Sequence, residues 1–163
     1  MDIESITNYC MAKPGVTAGF PFDETTLVFK VMGKMFAVTD ADHFEFINLK
    51  CDPERSEELR ASYDYIKPGW HMNKTHWNSV YPEAGSKLIC ELIDHSYDLI
   101  VAKLPKKMKE ELALLKKINK YARQHLQCCR NVFGISKCHR RYSRNTIATK
   151  QKTNNQNPKI TQY

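Results

Sequence analysis

The sequence has no apolar run that approaches the roughly 20 residues needed to cross a bilayer. Its start, MDIE, also lacks the basic and then apolar stretches that begin a secretory signal. We therefore expect no membrane partner and a cytoplasmic location. Hydrophobic residues make up 42% of the 163 residues, which is enough for the packed core of one domain.

Glycine is scarce and dispersed. The chain has six glycines, and none are grouped as they are in a phosphate-binding loop. No Ser or Cys lies in a recognisable nucleophile motif. His71 and His76 are five residues apart and would point to opposite faces of a regular strand, while Asp94 and His95 are neighbours on a helix, about 100° apart. The sequence therefore predicts no catalysis and no cofactor.

Cysteine occurs six times, but not in the pattern of a disulfide framework. Cys10, Cys51 and Cys90 each lie inside an apolar pattern, where a free Cys behaves as a small core residue. Four soft ligands near the C-terminus would be sufficient for zinc: Cys128, Cys129, Cys138 and His139. They lack the usual two-residue gaps, so we expect neither disulfides nor a metal site.

Acidic residues are absent after Glu111. Residues 1–115 carry 13 Lys and Arg against 18 Asp and Glu, a net charge of −5. Residues 116–163 carry 12 Lys and Arg and no acid, a net charge of +12. The second region is a polycation that phosphate or another anionic surface would attract.

Hydrophobic periodicity predicts an α+β fold in the order α-β-β-β-α-β-β-α, followed by an additional helix and a basic tail. Asp52-Pro53 marks a helix start, and Met32-Gly33-Lys34 a tight turn between strands. Residues 70–73 and 76–81 are predicted as short extended segments. The predicted divisions are a domain at residues 1–110, an amphipathic helix at 111–127 and a largely disordered extension at 128–163.

Six segments in this order resemble the MmcQ/YjbR family: KPGVT (13–17), FPFD (20–23), TLVFKVMGKMFAVTD (26–40), INLKCDPE (47–54), PGWHMNKTHWN (68–78) and the stretch from LIDHSYDL to LP (92–105). The resemblance covers about residues 1–110. It implies a two-layer fold with an antiparallel sheet and helices on one face, similar to secretion chaperones and described as a double wing. It also implies DNA binding through the winged shape, with no catalytic residues.

Three groups of residues are candidates for contact with nucleic acid. The segment from Trp70 to Asn78 is rich in groups that can bind phosphate or base edges, and an exposed Trp could stack on a base. Lysines near the Gly33 turn and near Pro105, together with arginines of the tail, supply positive charge. The predicted contact residues are Lys34, Lys50, Asn73, Lys74, His76, Asn78, Lys103, Lys106, Lys107, Arg140 and Arg141.

Structural roles compete with this interpretation. Trp77 could anchor the sheet to the helices, Asn73 and His76 could cap a turn, and the lysines could be ordinary solvated side chains. Two functions therefore remain open. One is DNA binding, which need not involve a sequence preference, and the other is recognition of a protein segment or a small ligand. Convergence of Lys34, Lys50, Lys74 and Lys103 on one face would favour DNA, whereas an exposed apolar groove would favour the alternative.

Overall fold

Six strands form one open sheet in the computed structural model, which describes the backbone of residues 1–133 and the side chains of residues 1–119. The strands are β1 (Val16–Gly19), β2 (Thr26–Val31), β3 (Lys34–Asp40), β4 (Ile47–Lys50), β5 (Ile66–Pro68) and β6 (Trp77–Val80). Their order across the sheet is β1-β2-β3-β4-β6-β5, and each neighbouring pair is antiparallel. The helices are α1 (Ile3–Met11), α2 (Pro53–Ser62), α3 (Gly85–Ala102) and α4 (Lys106–Phe133), with a 3-10 turn at Pro82–Ala84.

The two faces of the sheet differ because successive side chains of a strand point to opposite sides. On β2, Leu27 and Phe29 belong to the large core that includes α1, α2, α3 and the start of α4. Val28 lies between them and belongs to a separate small cluster with Val38 and Trp77. The helices therefore cover one face, and the other, called here the open face, keeps its own smaller apolar patch. The predicted α+β class with helices on one face is confirmed.

Local signals explain where the first two helices begin. Asp2 accepts a hydrogen bond from the Ser5 N–H at 2.7 Å, as an N-cap should, and α1 buries Ile6 and Cys10. Asp52 stands at the N-cap of α2 with Pro53 in the first turn, but its side chain makes no capping hydrogen bond. Cys51 is also buried, and Cys10, Cys51 and Cys90 are free thiols.

The structure differs from the prediction at β1 and around β5. Residues 16–19 were not predicted as a strand, but they pair with β2, with Val16 opposite Val31. A four-residue edge strand ending in Gly19 carries too little pattern to be recognised. Pro68, expected in a turn, lies in β5, where an edge position tolerates its missing N–H.

Residues 70–73 were predicted as extended, and this prediction is wrong. They form a turn in which the Met72 N–H donates to the Gly69 carbonyl at 3.3 Å. His71 has a positive φ of 53°, which no regular strand contains. The side chains of Trp70, His71 and Met72 therefore do not alternate between two faces as they would in an extended strand.

By its internal contacts the chain divides into residues 1–116 and residues 117–163. The first unit contains the whole sheet and α1 to α3. In the second, residues 117–133 are helical, and residues 134–163 lie outside the described part of the chain, as does most of the predicted disordered extension. The predicted divisions after residues 110 and 127 stay predictions. No helix within residues 1–133 is long and apolar enough to cross a membrane.

Candidate functional site

The loop between β5 and β6 is the most tightly constrained part of the open face. Gly69 donates its N–H to the Trp77 carbonyl at 2.8 Å. A Cβ at Gly69 would lie 2.7 Å from the Trp77 Cβ, so only glycine fits there. The left-handed conformation of His71 adds strain that the surrounding contacts must hold.

The main chain of Trp70 is held by hydrogen bonds on both sides, while its indole remains largely exposed to solvent. Its N–H donates to Ser79 Oγ at 2.9 Å, and its carbonyl accepts from Asn48 Nδ2 at 3.3 Å. Ser79 Oγ in turn donates to Asn48 Oδ1 at 2.6 Å, inside the sheet. The side chain nevertheless remains 64% exposed. An aromatic ring is thus presented to solvent on a rigid support, which is the arrangement expected of a contact residue rather than a core residue.

Asn78 was predicted to contact nucleic acid, but the structure places it inside the protein. It is 2% exposed, and its Oδ1 accepts from Arg60 Nε at 2.8 Å while its Nδ2 donates to Ser56 Oγ at 3.3 Å. The guanidinium of Arg60 also donates to the carbonyls of Lys74 and Trp77. Strand β6 is covered by α2 at this point, so Asn78 supports the loop instead of reaching a ligand.

Trp77 is 6% exposed and therefore buried, but it belongs to the small cluster of the open face and not to the large core beneath the helices, whereas its structural alternative had expected it to anchor the sheet to the helices. Asn73 also takes the structural role considered above: its Oδ1 accepts from the Thr75 N–H at 2.9 Å. Its own carbonyl accepts from the His76 N–H at 3.1 Å. Both Asn73 and His76 remain exposed, so a turn role does not withdraw them from the surface.

Several of the predicted basic residues meet in one place. A cleft of about 190 Å³, called here the basic cleft, is lined by Lys50, Asn73, His76, Trp77 and Lys103 with parts of β4, α2 and α3. One carboxylate, that of Asp52, also lines it beside the two lysines. Burial lowers the pKa of Lys50, and the positive charges of Lys103 and Lys34 lower it further. A lysine that feels two other cations is a centre of positive potential, which an anion would relieve.

The remaining predicted residues lie elsewhere. Lys74 lines a neighbouring hollow with Arg60, beside α2. Lys106 and Lys107 are exposed at the start of α4 and do not line the basic cleft. Arg140 and Arg141 lie outside the described residues, as do Cys138 and His139. Lys50 and Lys103 therefore line one cleft, and Lys34 adds a weaker positive influence on Lys50, whereas Lys74 lines a different hollow. The convergence of all four lysines that would favour DNA is not complete.

A second, larger depression lies on the open face. It has a volume of about 610 Å³ and is called here the open-face groove. Its aromatic and aliphatic lining comes from four segments and consists of Phe22, Met35, Val38, Phe46, Trp70 and Met72. Asn48 lines this groove and Lys50 the basic cleft, and alternate residues of a strand lie about 7 Å apart. The two sites are therefore neighbours, and β4 contributes a residue to each.

The rim of the open-face groove is acidic. Asp23, Asp40 and Glu45 line it, and no Lys or Arg does among the residues whose side chains are described. Hydrogen bonds from Thr26 lower the pKa of Asp23, and the N–H of His43 lowers that of Asp40. These carboxylates were not predicted from the sequence because Asp23 precedes β2, whereas Asp40 and Glu45 belong to the connection between β3 and β4. Only the pairing of β2 with β3, which sets Thr26 opposite Asp40, brings them together.

A further group of titratable side chains lies on the helical side of the sheet. Tyr9 donates to Asp94, which also pairs with Lys13, and burial with this hydrogen bond raises the pKa of Tyr9 to about 12. Burial raises the pKa of Cys10 to about 12. Among the described side chains no group of three His, Cys, Asp or Glu is placed to hold a metal ion.

Comparisons with known proteins agree with this geometry. Residues 11–99 match the family model described as YjbR. The chain belongs to the YjbR family. YjbR of Escherichia coli K12 is 34% identical over 118 residues, which are 71% of this chain and 100% of the relative. YbdF of Escherichia coli O157:H7 is 40% identical over 107 residues, 64% of this chain and 88% of the relative.

Solved structures share the family's fold. The crystal structure of Deinococcus radiodurans protein DR2400, with domain DUF419, matches with a TM-score of 0.63 and 38% identity, over 68% of this chain and 87% of that one. A Pseudomonas syringae protein matches with a TM-score of 0.52 and 28% identity, over 61% and 98% of the two chains. The names of these relatives describe no activity, so the comparisons establish family and fold.

Proposed function

We propose that this protein is a cytoplasmic, non-catalytic nucleic-acid-binding protein whose basic cleft receives the phosphate backbone. The observation that carries the proposal is that Lys50 and Lys103 line one cleft. Burial lowers the pKa of Lys50, and the positive charges of Lys103 and then Lys34 lower it further. A phosphate between them would replace repulsion by attraction. Asn73 and His76 supply hydrogen-bond donors at the same cleft.

Charge along the chain supports the same proposal. Residues 1–115 are net acidic at −5, so a general attraction to DNA cannot come from the overall charge of that region. Binding there would depend on a local concentration of lysines, which the basic cleft provides. The C-terminal region, net +12, would add a second and sequence-independent attraction. Arg140 and Arg141 belong to that second contribution.

The test is a salt series with the full chain and a fluorescein-labelled 20-base-pair duplex, followed by anisotropy. The variant is Lys50→Gln/Lys103→Gln, and the matched control is Lys87→Gln, an exposed lysine near the start of α3. Each phosphate contact contributes about 0.9 to the slope of log K against log salt. We expect the double variant to reduce that slope by nearly 2 and the control to leave it unchanged.

A slope that is the same in the double variant and in the control would refute a role for the basic cleft. The same series with a single-stranded oligonucleotide of equal length separates two forms of the proposal. Trp70→Ala should weaken single-stranded binding more than duplex binding if the exposed indole stacks on a base. Equal effects on both would assign the recognition to the backbone alone.

A further inference from the structure

The open-face groove has a chemistry opposite to that of the basic cleft. Apart from Trp70, which could stack on a base, the proposed function leaves the lining of this groove unused. A volume of about 610 Å³ is typical of sites for small organic ligands. Phe22 is 65% exposed and Trp70 is 64% exposed, although both line the same depression. Two large aromatic side chains that stay in solvent around one cavity indicate a surface that is covered when it functions.

The aromatic lining is held in place before any ligand arrives. Trp70 is fixed through its main chain by Ser79 and Asn48. Phe46, half-buried, packs against Tyr81 with ring centroids 5.5 Å apart. Val38 and Met35 on β3 form the floor together with the small cluster around Trp77. A rigid apolar floor with aromatic walls suits a flat ring system and costs little entropy on binding.

The carboxylates at the rim decide the charge of the ligand. Asp23 accepts hydrogen bonds from the N–H groups of Thr25 and Thr26, and Asp40 accepts from the N–H groups of Asp42 and His43. Both carboxylates are therefore fixed in position. Glu45 adds a third negative charge. A cation is attracted by such a rim and by the face of a Trp ring, whereas an anion is repelled.

We propose that the open-face groove is a binding site for a planar aromatic cation, whose ring contacts Trp70 and Phe46 and whose positive charge faces Asp23, Asp40 and Glu45. The site is distinct from the basic cleft, and neither proposal depends on the other. The two histidines of the lining, His43 and His71, are the nitrogen bases that face the ligand.

The test is a titration of the full-length protein with N-methylacridinium, compared with acridine-9-carboxylate, which has the same three rings and a negative charge. Calorimetry gives the affinities, and ¹⁵N amide shifts locate each probe. We expect saturable binding of the cation at micromolar to millimolar concentration, with shifts at Trp70, Phe46 and Asn48. The carboxylate should cause no shifts in the groove.

Two variants test the two halves of the site. Trp70→Ala should weaken binding of the cation by about tenfold, because it removes a ring that attracts positive charge. The main-chain hydrogen bonds of residue 70 do not involve this ring and stay intact. Asp40→Asn/Glu45→Gln should weaken it by a similar factor at low salt and less at 0.5 M salt, since screening reduces the contribution of exposed charges. The matched control is Glu57→Gln/Glu58→Gln, which neutralises two exposed carboxylates of α2. It should leave the affinity for the cation unchanged.

Four results would overturn the proposal. The first is no saturable binding of the cation up to 10 mM, and the second is equal binding of the anion in the groove. The third is an affinity unchanged by both variants. The fourth is a concentration-dependent dimer in light scattering that Trp70→Ala abolishes, because the groove would then be an interface between copies of this chain.

Discussion

Lys50 Nζ lies 5.2 Å from the centroid of the Trp77 ring, so the most strongly perturbed lysine of the basic cleft rests on the anchor of the open face. The two residues are opposite each other on β4 and β6. The indole supports the aliphatic stem and attracts the ammonium group, which partly offsets the repulsion from Lys34 and Lys103. The fold therefore holds a positive charge where its neighbours oppose it.

Trp77→Ala should destabilise the protein by about 3–5 kcal/mol, because it removes a buried aromatic side chain from the patch on the open face. Trp70→Ala is the matched control and should change the free energy of unfolding by no more than about 0.5 kcal/mol, since its indole is exposed. Urea unfolding of both variants gives the comparison. Equal stabilities of the two variants would contradict the assignment of Trp77 to the core.

Lys50→Met should stabilise the protein at pH 7 and low salt. The lowered pKa means that folded Lys50 holds its proton less tightly than the unfolded chain does. Its charge therefore costs stability fully below the folded pKa, and the cost fades as the pH rises from that lowered pKa to the ordinary lysine value of 10.5. Thermal unfolding from pH 7 to 11 should show the advantage of Lys50→Met shrinking. Lys87→Met is the control, and it should not increase the thermal stability at any pH in this range.

The sequence was sufficient for the class of fold and for most elements, because their signals are local. Asp2 and Asp52-Pro53 mark helix starts, and Gly33 takes its expected positive φ of 79° between β2 and β3. The β5–β6 loop was missed because its shape depends on contacts of Gly69 with Trp77, which come from pairing across the sheet. A turn fixed by tertiary contacts looks like an ordinary polar and aromatic run in sequence.

The site was predicted in part for the same reason. The lysines of the basic cleft were recognisable as single candidates, but their convergence depends on β4 and α3 lying side by side. Asn78 was misplaced because nothing local shows that Arg60 of α2 reaches its amide. The acidic rim of the open-face groove combines Asp23 from the loop before β2 with Asp40 and Glu45 from the connection between β3 and β4. Asp23 and Asp40 each have a complete local explanation as polar turn residues.

Gly69→Ala should be strongly destabilising. An added methyl group would lie 2.7 Å from the Trp77 Cβ and 3.0 Å from its carbonyl oxygen, and neither belongs to the flexible end of a side chain. We expect a loss of about 1–3 kcal/mol, as for other overpacked sites. Gly19→Ala is the matched control, because no atom lies within 4 Å of its added Cβ. If thermal unfolding gives the same decrease in Tm for both variants, the loop can relax around the added methyl group.

Protonation of His95 should reduce stability on mild acidification. Burial, and then the charge of Arg55, lowers the pKa of His95 below its ordinary 6.5, against the opposing carboxylate of Asp52. Its buried Nε2 lies 3.4 Å from Asp52 Oδ2 without hydrogen-bond geometry. Because the unfolded chain binds this proton more tightly, stability is full above pH 6.5 and falls as the pH drops through 6.5 toward the folded pKa.

The comparison for His95 is a set of urea unfolding curves between pH 8 and pH 5. His95→Gln should flatten the loss of stability over this range, whereas His43→Gln, an exposed histidine, should leave it as it is. Curves for His95→Gln that fall as steeply as those of the unmodified protein would assign the acid sensitivity to other groups.

The C-terminal region should dominate any affinity for DNA at low salt. Residues 116–163 carry all of the excess positive charge, and sequence-independent affinity follows the number of phosphates neutralised. A chain shortened to residues 1–116 is a reasonable comparison, since YjbR of Escherichia coli matches over its whole length within 118 aligned residues. The shortened chain should bind a duplex more weakly at 50 mM salt and with a shallower salt slope. Full affinity in the shortened chain at moderate salt would place the binding energy in the folded domain, and its loss in Lys50→Gln/Lys103→Gln would then trace that energy to the basic cleft.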